Sequence, residues 1–159
     1  MTRNKYLRSN LYTSLIDTYQ KNYDQNNKSE MFFEINNVFD AGEHATYDAI
    51  PNQVYSLSGL VPSFTTSPDT RKDPTKHDIY YLKNILNNCF GNLTFKQMQK
   101  PGFHQNNSYV IMVDNKLIGH TGQLSYLLKE ELDLSENLFL SQIYLEELNL
   151  EGLNTSNYK

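Results

Sequence analysis

A glutamate on a predicted strand is the first side chain that could do chemistry. In the stretch "EMFFEINNVFDAGEHATYDAI", the apolar residues Phe33, Ile35 and Phe39 are spaced to share one face of a strand. Glu34 and Asn36 fall on the opposite face, which we predict to be the less buried one. A carboxylate at the end of a strand can act as a general base. The simpler interpretation of Glu34 is a polar side chain on a half-buried strand, and we favour it.

The loop that follows contains two adjacent residues that can bind a metal ion, Glu43 and His44. A zinc site needs three or four ligands at suitable spacing, such as two histidines four residues apart on a helix. Because no such spacing surrounds this loop, we predict no metal-binding residue. The single cysteine, Cys89, excludes an intrachain disulfide and a zinc site built on cysteines. We expect Cys89 to be a buried apolar residue of a helix.

The other three histidines have structural interpretations beside chemical ones. His77 precedes Asp78 and resembles an oriented histidine, but Asp78 can simply cap a helix. His104 and His120 lie near glycines, where a side chain could contact a ligand or a partner, although a lone loop histidine is more often structural. The sequence contains no Gly-rich phosphate loop and no nucleophile elbow. We therefore predict no catalytic residue and no cofactor-binding residue.

The composition limits the class of protein. The chain has 159 residues, 38% of them apolar, and a net charge of −4 with a pI near 5.5. This length suits one domain, and the acidic balance argues against a basic stripe for a nucleic-acid backbone, so we predict no DNA partner. No apolar run reaches the length of a membrane span and the N-terminus shows no apolar signal core. We expect a cytoplasmic protein with no membrane partner.

The first half of the chain is predicted to hold one helix and two strands. Apolar residues recur every four positions over residues 7–23 and predict an amphipathic helix. Two strands are predicted over 31–39 and 53–61. The proline-rich stretch from Pro62 to Lys76 predicts an exposed loop between the two halves.

The second half carries stronger local signals. Asp78 can cap a helix that ends at Gly91. Asp114 and Asn115 tolerate the positive φ of a tight turn and predict a hairpin over 108–124. The remaining predicted elements are a strand over 92–98, a short helix from Ser125 to Leu132 and a strand over 137–148.

The order of these elements predicts the fold class. Strands follow one another through short turns, which favours an α+β fold over a doubly wound parallel sheet. We predict an antiparallel or mixed sheet flanked by helices, with the helices on one side. One domain is expected over residues 1–148, followed by a polar, frayed tail over 149–159.

Six segments of this chain, in order, resemble the beta subunit of bacterial phenylalanyl-tRNA synthetases, in its C-terminal synthetase-like core module. They are "YLRSNLYTSLIDTYQKN", "FFEINNVFDAGE", "YSLSGLV", "HDIYYLKNILNNCFG", "GFHQNNSYVIMVDNKLIGHTGQLSYLLKEELDL" and "NLFLSQIYLEEL". The family shows a leucine-arginine pair that opens a helix, a "FEIG.VF" strand and a hairpin with "G..IG..GE.HP". The resemblance covers roughly residues 5–148, and the order and spacing of the six segments carry it.

The chain departs from the family pattern at three places. Asn36 stands where the family has a glycine, and Gln105 stands where it often has a proline. Leu124 and Ser125 replace the second "HP" of the hairpin region. The resemblance also predicts further beta-subunit domains on both sides of this module, so we expect the chain to be an excised piece of such a subunit.

The resemblance implies a class II aminoacyl-tRNA synthetase-like fold without catalytic activity of its own. In that class, one arginine follows the second motif strand and another opens the last motif helix, where guanidinium groups meet the ATP phosphates. The matching strand here is Met31–Phe39, and Arg71, in the proline-rich loop, is the one arginine after it. The resemblance therefore implies a catalytically silent core. ATP and magnesium are implied for the whole enzyme through other domains, with no cofactor bound by this chain.

The resemblance further implies assembly with the alpha subunit in an (αβ)2 heterotetramer. The first predicted helix corresponds to the family's interface helix, and its apolar face looks wider than one side of a small sheet needs. Through the whole enzyme, the module would support the charging of tRNA(Phe) with phenylalanine. The predicted interface residues are Leu7, Arg8, Leu11, Leu15, Ile16 and Tyr19. The alternative is that the chain's own sheet uses this face completely.

Two other functions compete with this one. The first is a stand-alone ligand-binding or regulatory domain of synthetase-like fold, which would use the hairpin at His120 and the loop around His44. The second is an enzyme with a site around Glu34 and His104. Flanking sequence separates the assembly module from both, because only the module belongs inside a longer beta subunit.

Overall fold

A computed structural model describes residues 8–25, 27, 30–40, 52–65 and 73–148 of the protein. The helices are α1 (Tyr12–Asp24), α2 (Ile79–Phe90) and α3 (Tyr126–Glu131). The strands are β1 (Phe32–Asp40), β2 (Asn52–Pro62), β3 (Phe64–Thr65), β4 (Thr75–Lys76), β5 (Thr94–Gln97), β6 (Phe103–Val113), β7 (Lys116–Leu124) and β8 (Leu138–Tyr144). A 3-10 turn, Leu145–Glu147, follows β8. The predicted C-terminal tail lies outside the described residues.

Six strands form one antiparallel sheet in the spatial order β1-β2-β8-β7-β6-β5, and β3 pairs with β4 separately. The predicted α+β class with an antiparallel sheet is confirmed. The last of the described strands therefore lies in the middle of the sheet, between β2 and β7. Its near-continuous apolar sequence fits this place, because a central strand is covered on both faces.

The helices cover opposite faces of the sheet, so the prediction of helices on one side is wrong. Leu138 and Leu140 of β8 pack in a core with α1, whereas Phe139 and Ile143 pack in a second core with α2. Successive side chains of a strand point to opposite faces. The apolar residues of β8 occupy both faces, and each face takes one of the long helices.

The first helix begins at Tyr12, five residues later than predicted. The Arg8 carbonyl accepts a hydrogen bond from the Phe39 N–H at 2.9 Å, so this residue is held beside the end of β1. The Leu11 N–H donates to Oε1 of Gln142 in β8 at 3.3 Å. Because tertiary hydrogen bonds hold the backbone around Arg8 and Leu11, the helix starts after them.

The helix caps and the tight turn predicted for the second half of the chain are confirmed. Oδ1 of Asp78 accepts a hydrogen bond from the Tyr81 N–H at 2.9 Å at the start of α2, and Gly91 ends this helix with a φ of 66°. Asp114 and Asn115 have φ values of 49° and 65° and join β6 to β7. Ser125 caps α3. These residues act within their own turn, which is why the sequence alone identifies them.

The two faces of β1 are the reverse of the prediction. Phe33 is 75% exposed and Ile35 is 45% exposed, whereas Val38 on the other face is buried. The first helix lies over the face that carries Val38 and Glu34, so this face is the inner one. Phe33 and Ile35 therefore remain on the surface, whereas Phe39 near the end of the strand is half-buried.

The predicted Pro62–Lys76 loop contains two short paired segments. Phe64 pairs with Lys76 and Thr65 with Thr75, and residues 66–72 lie outside the described part. His77 holds this pair in place, because its Nε2 lies 2.8 Å from the Thr65 hydroxyl.

A bulge in β7 decides which residues reach the α1 face. Ile111 pairs with Gly119 while Met112 pairs with Leu117, so Ile118 is an extra residue on this strand. Ile118 packs in the core under α2, and His120 contacts the ring of Tyr12 on the α1 side. An unbulged strand would place both on one face, since residues two apart share a face.

Candidate functional site

Glu34 links the segment before α1 to the edge strand. Its carboxylate lies 3.0 Å from Nη1 of Arg8, and it accepts a short hydrogen bond from the Ser14 hydroxyl. Nδ2 of Asn36 is 3.4 Å from the same carboxylate. Both oxygens are thus occupied by side chains of the protein. This arrangement suits the structural interpretation of Glu34 and leaves it poorly placed to accept a proton from a substrate.

The other predicted candidates do not converge on one site. His77 is buried and stacks on Tyr81 with ring centroids 4.1 Å apart. Burial lowers the pKa of His77 and outweighs the opposite effect of the Asp78 charge. His104 contacts the ring of Tyr126 and its Nδ1 accepts from the Asn106 N–H. Glu43, His44 and Arg71 lie outside the described residues.

The predicted interface side chains on α1 and just before it are mostly buried in the chain itself. The exposed fractions of Leu11, Leu15, Ile16 and Tyr19 are 0%, 3%, 7% and 2%. All but Leu11 belong to the core formed with β2, β7 and β8. The premise that this face exceeds what the sheet needs is therefore wrong. Arg8 is 39% exposed and paired with Glu34, and Leu7 is outside the described residues.

A pocket of about 570 Å³ lies beside the start of α1. We call it the Lys100–His120 pocket, after two of its polar residues. The other described lining residues are Ser9, Asn10, Tyr12, Val38, Phe39, Asn52, Val54, Pro101, Phe103, Leu117, Tyr144 and Glu147. Polar and apolar side chains share its wall in roughly equal parts. Its volume lies within the range of small-molecule sites.

A lysine and a histidine meet in this pocket. Nζ of Lys100 lies 2.7 Å from Nε2 of His120. A charged ammonium has only donors, so Nε2 is the acceptor and the ring proton sits on Nδ1. Burial, followed by the Lys100 charge, lowers the pKa of His120 to about 3. Burial also lowers the pKa of Lys100.

Three buried polar atoms on this side of the sheet lack a hydrogen-bond partner within the described part of the chain. They are the hydroxyls of Tyr12 and Tyr19 and Nε2 of Gln142. Oε1 of Gln142 accepts from the Leu11 N–H and from the Ser58 hydroxyl, each at 3.3 Å. Unpartnered buried polar groups are uncommon in native proteins, and each costs about 1–3 kcal/mol. These atoms could form further hydrogen bonds with a ligand on this side of the sheet.

The buried histidine predicts a pH dependence of stability. In the unfolded chain His120 titrates near its ordinary pKa of about 6.5, whereas folding lowers the pKa to about 3. Between these values the unfolded chain binds a proton that the folded chain does not. Stability is therefore fully present above about pH 6.5 and falls as the pH drops, by about 1.4 kcal/mol per pH unit for this proton. Urea denaturation from pH 7.5 to 4.5 measures the slope.

The His120→Gln variant should show a shallower slope over the same range, because glutamine can still accept from Lys100 but does not titrate. His77 adds to the slope in both proteins, since its pKa is also lowered. Thr13→Ala, an exposed change that removes no titratable group, is the control and should retain the full slope. An identical slope in the His120→Gln variant would contradict the assignment.

Only one residue of this pocket could be identified as a candidate from the sequence. Its neighbouring glycines indicate His120, but no pattern in the sequence indicates Lys100, Tyr12 or Gln142 as site residues. They come from a turn, a helix and a central strand that are distant in the chain. The alternating register of β7 and the bulge bring them together, and no local pattern records that meeting.

A second concave surface is apolar and lies on the face of the sheet opposite the Lys100–His120 pocket. This apolar groove has a volume of about 420 Å³ and is formed by β1, β2 and α2, with β8 at its floor. Its outer residues include Met31, Phe33, Ile35, Ile85 and Cys89. Cys89 is exposed here, so its predicted burial is wrong. The two most exposed apolar side chains of the groove belong to an edge strand.

Two kinds of feature are absent from the described residues. No group of three or more His, Cys, Asp or Glu side chains is placed to hold a metal ion there. No helix in that part of the chain has the length and apolar character needed to cross a bilayer.

Solved structures share this fold. A pyrrolysyl-tRNA synthetase from Desulfitobacterium hafniense superposes with a TM-score of 0.63 at 13% identity, over 91% of this chain and 49% of that one. A second structure of the same synthetase, named PylSc, gives a TM-score of 0.62 at 12% identity with the same coverage. At such low identity the likeness shows the fold alone. The fold is synthetase-like, as the sequence predicted.

Curated relatives and a family model agree on the family. A phenylalanine–tRNA ligase beta subunit from Halalkalibacterium halodurans is 26% identical over 94% of this chain. A beta subunit from Staphylococcus aureus is 27% identical over 92% of this chain. The chain spans only 18% of the length of each of these relatives. The model of the phenylalanyl tRNA synthetase beta chain CLM domain matches residues 2–145, and the chain therefore belongs to this family.

Proposed function

We propose that this chain is a non-catalytic module of a phenylalanine–tRNA ligase beta subunit that supports assembly with the alpha subunit. Through the whole enzyme, an (αβ)2 heterotetramer in the cytoplasm, the module supports the charging of tRNA(Phe) with phenylalanine. The family match and the short span of the chain along its relatives support a role inside a larger protein.

The apolar groove is the observation that carries the assembly role. Phe33 is 75% exposed, and Ile35 and Met31 are 45% and 39% exposed on the same face of β1. An exposed apolar surface beside an edge strand marks a protein-interaction site, because it is costly to leave in water and the strand edge offers free backbone groups. We therefore move the proposed alpha-subunit interface from the buried face of α1 to this groove.

The arrangement of Arg8 supports the non-catalytic part of the proposal. Arg8 is the one arginine among the described residues, and Glu34 holds its guanidinium at 3.0 Å. A synthetase that activates an amino acid needs guanidinium groups preorganised toward phosphates. A guanidinium already bound to a carboxylate is not free for that role.

Removing the exposed apolar side chains should abolish binding to the alpha subunit. Size exclusion with light scattering should give a heteromeric peak when the chain is mixed with the alpha subunit of the same source. The Phe33→Ser/Ile35→Ser double variant should lose this peak, because both side chains would be buried in the interface, where large apolar residues contribute about 1.5–3 kcal/mol each. Its thermal stability should change little, since both residues are exposed in the free chain.

The matched control is Leu127→Ser, which removes an exposed apolar residue of α3 away from the groove. This variant should retain the complex. A complex that survives the double variant would contradict the groove as the interface. The absence of any complex between the parent chain and the alpha subunit would contradict the assembly role of this module.

A further inference from the structure

We propose that the Lys100–His120 pocket binds a small organic carboxylate with an aromatic or aliphatic body, which would be an additional ligand site of this module. This site does not depend on the assembly role, because it lies on the other face of the sheet from the apolar groove. Four features of the pocket support it: its unpaired cation, an unpartnered hydroxyl, the neutral histidine and the apolar part of its wall.

The cation is Lys100, which is partly buried at the pocket. Among the described residues it forms no ion pair with a carboxylate, and the neutral ring of His120 is its recorded acceptor. Glu147 also lines the pocket but is paired with Lys116. An ammonium carries three donors, so two remain for a ligand. A partly buried charge without a counterion is costly, and an anion would remove that cost.

The hydroxyl is that of Tyr12, whose side chain is 9% exposed and has no recorded hydrogen-bond partner. Burial, followed by the neighbouring Tyr144, raises the pKa of Tyr12, and both residues line the pocket. A ligand oxygen bound near Lys100 could accept a hydrogen bond from this hydroxyl. Such a bond would satisfy a polar group that the free chain leaves buried and unpaired.

His120 positions the cation without competing for the anion. Three aromatic rings pack edge-on against it, with centroids 5.6 Å away for Tyr12 and 6.2 Å away for both Phe103 and Tyr144. Burial and the Lys100 charge keep the imidazole neutral at physiological pH. The ring is therefore a fixed acceptor that orients the Lys100 ammonium.

The side chains that line the pocket indicate which class of anion it can bind. Phe39, Val54, Phe103 and Leu117 supply an apolar lining for a flat or branched body. The described lining offers one lysine and no arginine, which suits a singly charged carboxylate better than a phosphate, since phosphates are bound by guanidinium forks or several backbone N–H groups. A volume of about 570 Å³ is ample for a bicyclic carboxylate.

The test uses 2-naphthoate as the probe and the uncharged 2-naphthalenemethanol as its isosteric control. Calorimetric titration of the full chain should show saturable binding of 2-naphthoate and much weaker binding of the alcohol. Lys100→Met should weaken 2-naphthoate binding by about tenfold or more, since a charge-assisted contact is lost. Lys96→Met, a change of an exposed lysine on β5, should bind as the parent chain does.

Tyr12→Phe separates a binding role from a structural one. The free variant should melt at the same temperature or higher, because the removed hydroxyl has no partner, and it should bind 2-naphthoate severalfold more weakly. No saturable binding of 2-naphthoate to the parent chain would overturn the proposal, as would equal affinities for the acid and the alcohol. Binding of inorganic phosphate in its place, lost in the Lys100→Met variant, would overturn the assignment of a carboxylate.

Discussion

Substitution of Gly119 by alanine is expected to destabilise the protein by at least about 3 kcal/mol, the upper end of the usual cost of overpacking. A Cβ at this position would lie 2.1 Å from the Gln142 carbonyl oxygen and 3.0 Å from Cα of Ile143. Both atoms belong to the backbone of β8, the central strand, and neither can move without separating β7 from β8. A domain of this size has only about 5–15 kcal/mol of stability. Urea denaturation followed by circular dichroism measures the loss.

Gly59→Ala is the matched control for this prediction. Its Cβ would meet the side-chain oxygen of Ser141 at 3.1 Å, and its nearest backbone atom is 3.9 Å away. The serine hydroxyl can rotate, and a Gly-to-Ala change gains about 0.4–1 kcal/mol from the unfolded chain, so the control should be close to neutral. Equal stability of the two variants would show that β7 and β8 are not in such close contact at the bulge.

Truncation of Leu15 to alanine is the second change with a large expected effect. Leu15 is 3% exposed and packs in the core between α1 and the sheet. Removal of a buried leucine side chain costs about 2–5 kcal/mol, because transfer free energy is lost and a cavity remains. We expect the midpoint of urea denaturation to fall accordingly. Complex formation with the alpha subunit should persist under conditions in which the variant is still folded.

Thr13→Ala, an exposed change two residues away on α1, should alter stability by less than about 0.5 kcal/mol. The comparison separates the two interpretations of this helix. A Leu15→Ala variant that keeps its stability and loses the alpha subunit would restore the interface role originally predicted for this face. Loss of stability with retained association is the result that the burial of Leu15 predicts.

Signals confined to a few neighbouring residues were predicted correctly from the sequence. Asp78 and Gly91 define the two ends of α2, and Asp114 with Asn115 turns β6 into β7. Each works through backbone groups within its own turn. The order of such segments also sufficed for the α+β class and for the family resemblance.

Features set by distant contacts were not predictable in the same way. The alternation of side chains in β1 defines two faces but does not show which face meets α1. The ion pair with Arg8 places Glu34 on the inner face. The wide apolar face of α1 could belong to a core or to an interface until its burial was known. Lys100 and His120 meet because of a bulge at Ile118, which shifts one strand by a single residue.

The central place of β8 has a consequence for the order in which the chain can fold. The β6–β7 hairpin closes over a two-residue turn, whereas in the described sheet β8 joins β2 to β7 and follows both of them in the chain. Until Tyr144 has emerged during synthesis, the chain holds two separate ribbons with open edges. Long-range pairing of this kind is slow, and the exposed strand edges are prone to aggregation until the pairing is complete. The late insertion of β8 is therefore the step at which premature termination or chaperone depletion would be most damaging.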